Sequence, residues 1–154
     1  MVRTEVINSI NMEYEIINGS LEDLSEIVKL NMKIFKGMYE SEPYSLEQYH
    51  SKLEDKIPII NVAKMGNEIV GDSIAFQKED SLYLWVLGVS KDHRNKKIAS
   101  QLFDLLEDFA RKQELSVSVK TYPVSNEMIR LLKKRGYEII KTDDSGAIHF
   151  RLDL

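Results

Sequence analysis

Four cations crowd one short stretch of this chain. Lys91, Arg94, Lys96 and Lys97 follow the apolar run 82–89 and precede a segment whose apolar residues recur at helical spacing. The first amides of a helix lack internal partners and carry the positive end of its dipole. That end disfavours cations by about 0.3–1 kcal/mol each, so basic residues gathered there call for an anion beside them. A phosphate-bearing ligand would supply it, because helix N-termini bind phosphate and neighbouring cations add charge-assisted bonds. A solvated basic turn is the alternative that charge alone leaves open.

Other chemistries find little support. There is no cysteine, which excludes disulfides, thiolate metal sites and a cysteine acyl-enzyme. His50, His93 and His149 stand apart from one another and from carboxylates at ligand spacing, so no metal is expected. Neither a G-x-S-x-G elbow nor a G-x-x-x-x-G-K-[ST] loop occurs. The net charge of −4 argues against nucleic acid as the main partner, since backbone binding needs a positive surplus. No apolar run suits a signal peptide or a membrane span, so no membrane association is expected and the cytoplasm is the expected location.

The elements that must position the cations can be read from periodicity. A length of 154 residues, with 43% hydrophobic and 30% charged, fits one soluble domain with a continuous core. Residues 1–12 are polar and aperiodic, and are expected to be a flexible leader, with a frayed extra strand as the alternative; 13–154 form the domain. A short strand at 14–17 leads to Ser20, which opens a first helix with Asp23 in a capping pattern. Leu21, Leu24, Ile27, Val28, Ile34 and Phe35 form its stripe. Ser45 and Gln48 open a second helix to about residue 53, after a loop over 36–44.

The period then changes. Strands are expected at 57–64 and 69–77 around a Met65-Gly66-Asn67-Glu68 turn, and at 82–89. A long helix over about 96–113 carries Ile98, Leu102, Leu105, Leu106 and Phe109 on one face. A strand at 116–121, a helix at 127–135 closed by Gly136, and a hairpin of 137–141 with 147–152 complete the chain. The order β α α β β β α β α β β implies an α/β (α+β) fold, one mixed sheet covered by helices.

The cationic stretch has a further pattern. Arg94-x-x-Lys97-x-Ala99 resembles the acyl-CoA signature of the GNAT superfamily of N-acetyltransferases, written R/Q-x-x-G-x-G/A. Arg94 and Ala99 match, Ile98 fits the apolar place between, and Lys97 stands where glycine is usual. The strand order from residue 14 onward is also that of the GNAT fold. The resemblance implies a single mixed, mostly antiparallel twisted sheet of about seven strands flanked by about four helices. It also implies acetyl-CoA as acyl donor. The strand end at Leu87, Gly88 and Val89 would offer backbone groups to the pantetheine arm. The amides of Asn95, Lys96, Lys97, Ile98, Ala99 and Ser100, with Arg94, would hold the pyrophosphate. Between 82–89 and 116–121 the sheet should splay to admit the acyl-bearing arm. Side-chain packing is the plainer role for Leu87 and Val89, for His93 in the turn, and for Trp85 on the sheet.

A second family pattern, N-x-x-A-x-x-L-Y-x-K-x-G-F, aligns with residues 125–137. Leu131, Lys134, Gly136 and Tyr137 fit. Ser125 replaces the usual asparagine of the cofactor site, and Leu132 replaces the tyrosine assigned as proton donor to the departing thiolate. The catalytic residues are therefore unassigned from sequence, with Tyr122 and Tyr83 as candidate donors. Glu79, Asp80, Glu40, Glu42 and His50 are candidate bases. The family's acceptor site lies near its first two helices, which nominates Tyr39, Glu40, Glu42 and Tyr44 for substrate contact. The resemblance admits two functions: acetyl transfer to a small-molecule or peptide amine in a ternary complex, or acyl-CoA binding by a module without efficient turnover. The last strand is free to pair within the sheet or across a homodimer.

Overall fold

The computed structural model describes residues 2–7, 12–39, 41–94 and 97–154. Among these residues eight strands form one sheet: β1 (Val2–Ile7), β2 (Met12–Asn18), β3 (Ile59–Met65), β4 (Glu68–Lys78), β5 (Ser81–Val89), β6 (Ser116–Thr121), β7 (Glu138–Thr142) and β8 (Ile148–Leu152). Their spatial order is β1-β2-β3-β4-β5-β6-β8-β7. Every neighbouring pair is antiparallel except β5 and β6, which are parallel and therefore need a crossover connection. The helix α3 (Ile98–Lys112) makes it.

The remaining helices are α1 (Leu24–Phe35), α2 (Leu46–Leu53) and α4 (Asn126–Lys134). Helices α1 and α2 cover one face, burying Leu24, Ile27, Val28, Tyr49 and Leu53 against Ile60, Val62, Ile74 and Phe76. On the other face Phe103, Leu106, Ala110 and Leu132 pack on Leu82, Leu84, Val117, Val119 and Phe150. Ile98, Leu102 and Leu105 close the same face over Ala63, Val70 and Val89. This is the mixed sheet flanked by four helices that the element order implied.

Both expected capping boxes form. Ser20 N–H donates to Asp23 Oδ2 at 2.9 Å, and Ser45 N–H to Gln48 Oε1 at 2.8 Å while Gln48 N–H returns to Ser45 Oγ. Gly136 takes φ +93°, the left-handed region that ends α4.

Four expectations change in detail. Val2–Ile7 takes the strand alternative and adds an eighth strand, paired with β2. Leu21 is 51% exposed, because the chain after Ser20 starts as a 3-10 turn whose tighter winding takes Leu21 off the α-helical stripe. Phe109 is 37% exposed at the edge of α3, where Phe103 and Ala110 fill the buried side instead. The last strand pairs within the sheet on both edges, wedged between β6 and β7.

Candidate functional site

Strand β5 has unequal sides. Toward β4 it stays paired to its end, with Gly88 opposite Asp72 and Val89 opposite Gly71. Toward β6 only Ser81 to Leu84 are paired, with Ser116 to Val119. From Trp85 onward β5 has no paired strand on that side among the described residues. Trp85 is also the extra residue of a bulge, since Leu84 faces Ala75 and Val86 faces Ile74. A bulge bends its strand and re-aims the residues beyond it. The splay expected between the two strands is present, and it leaves the backbone of Trp85 to Val89 open along one edge.

Past Val89 the chain is pinned rather than loose. Ser90 N–H donates to the Val70 carbonyl at 2.8 Å. His93 is buried, with Nδ1 at 2.9 Å from the Tyr14 hydroxyl and its ring edge-on to that tyrosine. Turn packing, the plainer role for His93, is what the structure shows. Arg94 folds back so that Nε donates to the Val89 carbonyl at 3.3 Å. Two of the cradle candidates, Asn95 and Lys96, lie outside the described residues, as does Glu40 on the acceptor side.

Lys97 then takes φ +65°, ψ +16°. This left-handed conformation is the one glycine adopts without cost, which is why glycine suits the position and why a lysine there carries about 1–2 kcal/mol of strain. Its side chain is exposed. The left-handed turn delays α3 to Ile98, two residues later than the spacing alone implied. Among the described residues no side chain caps α3, and its first turn holds no acidic residue. The first internal bond there runs from Gln101 N–H to the Lys97 carbonyl, so the amides of Ile98, Ala99 and Ser100 precede it without helical partners. Ile98 is buried against Gly71, where an added Cβ would stand 3.0 Å from its Cγ2. The candidate cradle is thus a helix end without a side-chain cap from Lys97, with Arg94 and Lys97 beside it.

A network that sequence reasoning missed steadies α3. Arg135, just past α4, donates to both oxygens of Glu107 at 3.0 and 2.8 Å and stacks over Phe103. The Tyr137 hydroxyl adds a bond to Glu107 at 2.9 Å. Burial, with the neighbouring Glu107 carboxylate, pushes the Tyr137 phenol well up.

The opposite wall departs from the family pattern in an informative way. Leu132 is fully buried with Phe103, Leu106, Tyr137 and Phe150, so this position supplies core and not a proton. Ser125 precedes α4 without capping it, and its Oγ instead meets the Tyr39 hydroxyl at 2.9 Å. Tyr39 also stacks edge-on with Tyr122 at 5.7 Å. Tyr83, half-buried on β5, packs against Phe76. Burial raises its phenol pKa, and Tyr44 and Tyr122 push the same way. Tyr44 lies 5.7 Å from Trp85, ring to ring. The structure therefore gathers Tyr39, Tyr44, Tyr83, Tyr122 and Ser125 around the divergence of β5 and β6.

It does not bring Glu79 and Asp80 there. Glu79 and Asp80 sit in the turn that begins β5, about 25 Å along the strand from Leu87 to Val89. Asp80 is held there by Arg151, and Glu79 is a turn residue at φ +57°. Glu42 is exposed in its loop, and His50 is exposed on α2.

Two polar groupings escaped sequence reasoning. His149 Nε2 lies 2.8 Å from Asp143 Oδ2 in the final hairpin, and that bond lowers the Asp143 pKa. The other is buried between α1 and the sheet. Asn31 Nδ2 donates to Asp72 Oδ1 at 3.0 Å and approaches the Tyr49 hydroxyl at 3.1 Å. Its signal was an asparagine in the apolar stripe of α1 and an aspartate inside the apolar run of β4. Among the described residues no cluster could hold a metal ion, and no helix is long and apolar enough to cross a membrane.

Comparison with known proteins places this geometry. The family model described as Acetyltransferase (GNAT) family matches residues 24–137. Among solved structures, the GNAT domain of S. lividans PAT superposes with a TM-score of 0.79 at 17% identity, covering 99% of this chain and 97% of that one. The ribosomal-protein-S18-alanine N-acetyltransferase from Escherichia coli gives 0.74 at 15%, covering 90% and 92%. The PaiA N-acetyltransferase from Thermoplasma acidophilum, in complex with coenzyme A, gives 0.76 at 17%, covering 93% and 100%. At these identities the likeness is one of fold. No curated protein matched in the sequence search.

Proposed function

The chain belongs to the GNAT acetyltransferase family, and from that premise we propose that it moves an acetyl group from acetyl-CoA to an amine by direct attack in a ternary complex. One observation carries the reading: the edge of β5 from Trp85 to Val89 has no β6 partner and leads into an uncapped, cation-flanked helix start. The open edge suits an amide-bearing arm, and the free amides of Ile98, Ala99 and Ser100 suit a pyrophosphate. Arg94 and Lys97 supply positive charge, with Asn95 and Lys96 proposed to join them. Ser125, whose Oγ meets the Tyr39 hydroxyl, is proposed to join the cofactor site. We propose that the cradle and its acceptor side form one domain over 13–154, to whose sheet β1 adds an edge strand, acting in the cytoplasm.

In the reaction the amine nitrogen attacks the thioester carbon. A C–N bond forms, the C–S bond breaks, the amine loses a proton and the thiolate gains one. Tyr83 and Tyr122 flank the gap and are the proposed donors in place of Leu132. The raised pKa of Tyr83 keeps it protonated, so it serves as an acid and not a base. A thiol of pKa about 8.5 leaves with little assistance, so the loss of one tyrosine is tolerable. Tyr39 and Tyr44, with Glu40 and Glu42 from the same loop, are proposed to meet the acceptor.

The burial of Leu132 favours a second reading, an acyl-CoA-binding module without turnover. Mixing the protein with acetyl-CoA and a panel of amines, with release of the CoA thiol as the readout, separates the two. Release with at least one amine is expected. Thermal stabilisation without release for any amine supports the module, and no stabilisation contradicts both.

A further inference from the structure

The polar pair behind β5 is one proton short of satisfaction. Asp72 is fully buried and Asn31 is 1% exposed. One bond joins them, Asn31 Nδ2–H to Asp72 Oδ1, at 3.0 Å. That leaves Asn31 Oδ1 and Asp72 Oδ2, both buried acceptors without a donor among the described residues. A buried polar atom without a partner costs about 1–3 kcal/mol, and more when charged. Both oxygens lie within 3.5 Å of the single point where a Cβ on Gly88 would stand. They therefore face the same side of the pair, toward the end of the strand proposed to carry the acyl arm.

One proton on Asp72 Oδ2 satisfies both atoms. It turns Oδ2 into a donor toward Asn31 Oδ1 and closes a ring of two hydrogen bonds between a carboxylic acid and a carboxamide. The surroundings offer no other neutralisation. From α2 the facing group is the Tyr49 phenol, whose pKa burial pushes up to about 12, so it stays neutral. From α1 come Asn31 and the apolar Ile34, from β3 the register partner Val62, and from β5 Gly88. Among the described residues no cation pairs with Asp72. Burial accordingly pushes its carboxyl up to about 7, with the Asn31 bond opposing.

The pair also spans the elements of the site. Asn31 belongs to α1, Tyr49 to α2 and Asp72 to β4; Asn31 and Asp72 back onto Gly88 of β5, and Tyr49 meets the pair through Asn31. Tyr49 continues the chain of contacts to Trp85, 5.0 Å away ring to ring. Gly88 has no room for a side chain because an added Cβ would meet Asn31 Oδ1 at 2.5 Å.

We propose that Asp72 is a positioning residue for acyl-CoA, carried as the neutral acid in a cyclic pair with Asn31 that sets Gly88 and the open end of β5. The positioning role rests on the acetyl-CoA reading above; the protonation itself does not. Loss of the proton places a bare carboxylate in the dry layer, breaks the ring and loosens the strand end. Acetyl-CoA affinity then falls as pH rises through the titration of Asp72.

The test combines carbon-13 NMR of the Asp72 side-chain carboxyl in wild-type protein with acetyl-CoA titrations from about pH 6 to about pH 8. The expected carboxyl inflection lies near 7, with the dissociation constant rising several-fold along the same curve. Asp72→Asn should hold the low-pH affinity across the range, since its carboxamide can return an N–H to Asn31 Oδ1. Asp72→Ala should lose affinity at every pH. A carboxyl that titrates like a surface aspartate overturns the proposal, and needs no variant to be seen. An inflection near 7 with affinity that ignores it, or Asp72→Asn behaving as Asp72→Ala, overturns the positioning role. Failure of acetyl-CoA to bind at any pH sinks the acetyl-CoA reading and the positioning role with it, while the carboxyl titration still decides the proton.

Discussion

On the α3 side of the β5 terminus stand Arg94, Lys97 and the unpartnered amides of a helix start; on the α1 side stand Asn31, Asp72 and Tyr49. The first environment is wet and cationic, and its side chains reach solvent. The second is buried, holds no paired cation among the described residues, and leaves no space beside Gly88. One strand end, Leu87 to Val89, is held between them. The contrast teaches a division of labour. Charge on the wet side can be redistributed among neighbouring residues, so a lysine can stand at the glycine position if its backbone takes the left-handed turn. Shape on the dry side cannot be redistributed, because each atom there touches another.

The largest way to break the contrast acts on the dry side and depends on pH. Asp72 has a folded pKa of about 7 against 3.8 unfolded. A raised folded value means that the folded state holds the proton longer, so this group's contribution is full below about 4 and is lost as pH rises to about 7. Asp72→Asn removes that loss. Urea unfolding should show the variant gaining on wild type across that window and levelling at on the order of 4 kcal/mol above it. A pH-independent difference would return Asp72 to the ordinary carboxylates.

Next in size is Gly88→Ala. Its Cβ would stand 2.5 Å from Asn31 Oδ1 and 3.0 Å from Ile34 Cδ1, so the pair and α1 must shift. Overpacking of this kind costs about 1–3 kcal/mol, read in urea, and acetyl-CoA affinity should fall with it. A neutral Gly88→Ala would mean that the dry layer gives way more easily than its packing implies.

The smallest effect sharpens the wet side. Lys97→Gly relieves the left-handed strain and should raise stability by up to about 1 kcal/mol, visible as a higher urea midpoint. Acetyl-CoA affinity should change little, because the amide remains and Arg94 stays in place. A large loss of affinity would show that the Lys97 ammonium, and not the backbone, is what the position contributes.

The same contrast explains what could be read from the sequence. The candidate cradle could be nominated from sequence because its signals are local: a strand, a cluster of cations set against a helix dipole, and the Arg94-to-Ala99 spacing. Both capping boxes were legible for the same reason. The partnering of Asn31 with Asp72 was not, since forty-one positions separate them and only the fold brings α1 onto β4. Glu79 and Asp80 stood out as acids near the third central strand, yet they begin β5 while the cradle ends it. Leu21 and Phe109 followed helical spacing but lie where a 3-10 turn and a helix edge release them to solvent. Tyr39 with Ser125 needed tertiary structure, because a loop after α1 meets the turn before α4.

The central claim, that the β5–α3 junction is an acetyl-CoA cradle, is tested most directly by calorimetric titration of acetyl-CoA into wild-type protein and into Arg94→Glu with Lys97→Glu. The account predicts one site per chain in the wild type. In the double variant, loss of the Arg94 charge-assisted bond, about 1.5–3 kcal/mol, with two carboxylates set against the phosphates, should weaken binding by tenfold or more. Equal affinity in the two proteins, or no binding in either, would contradict it.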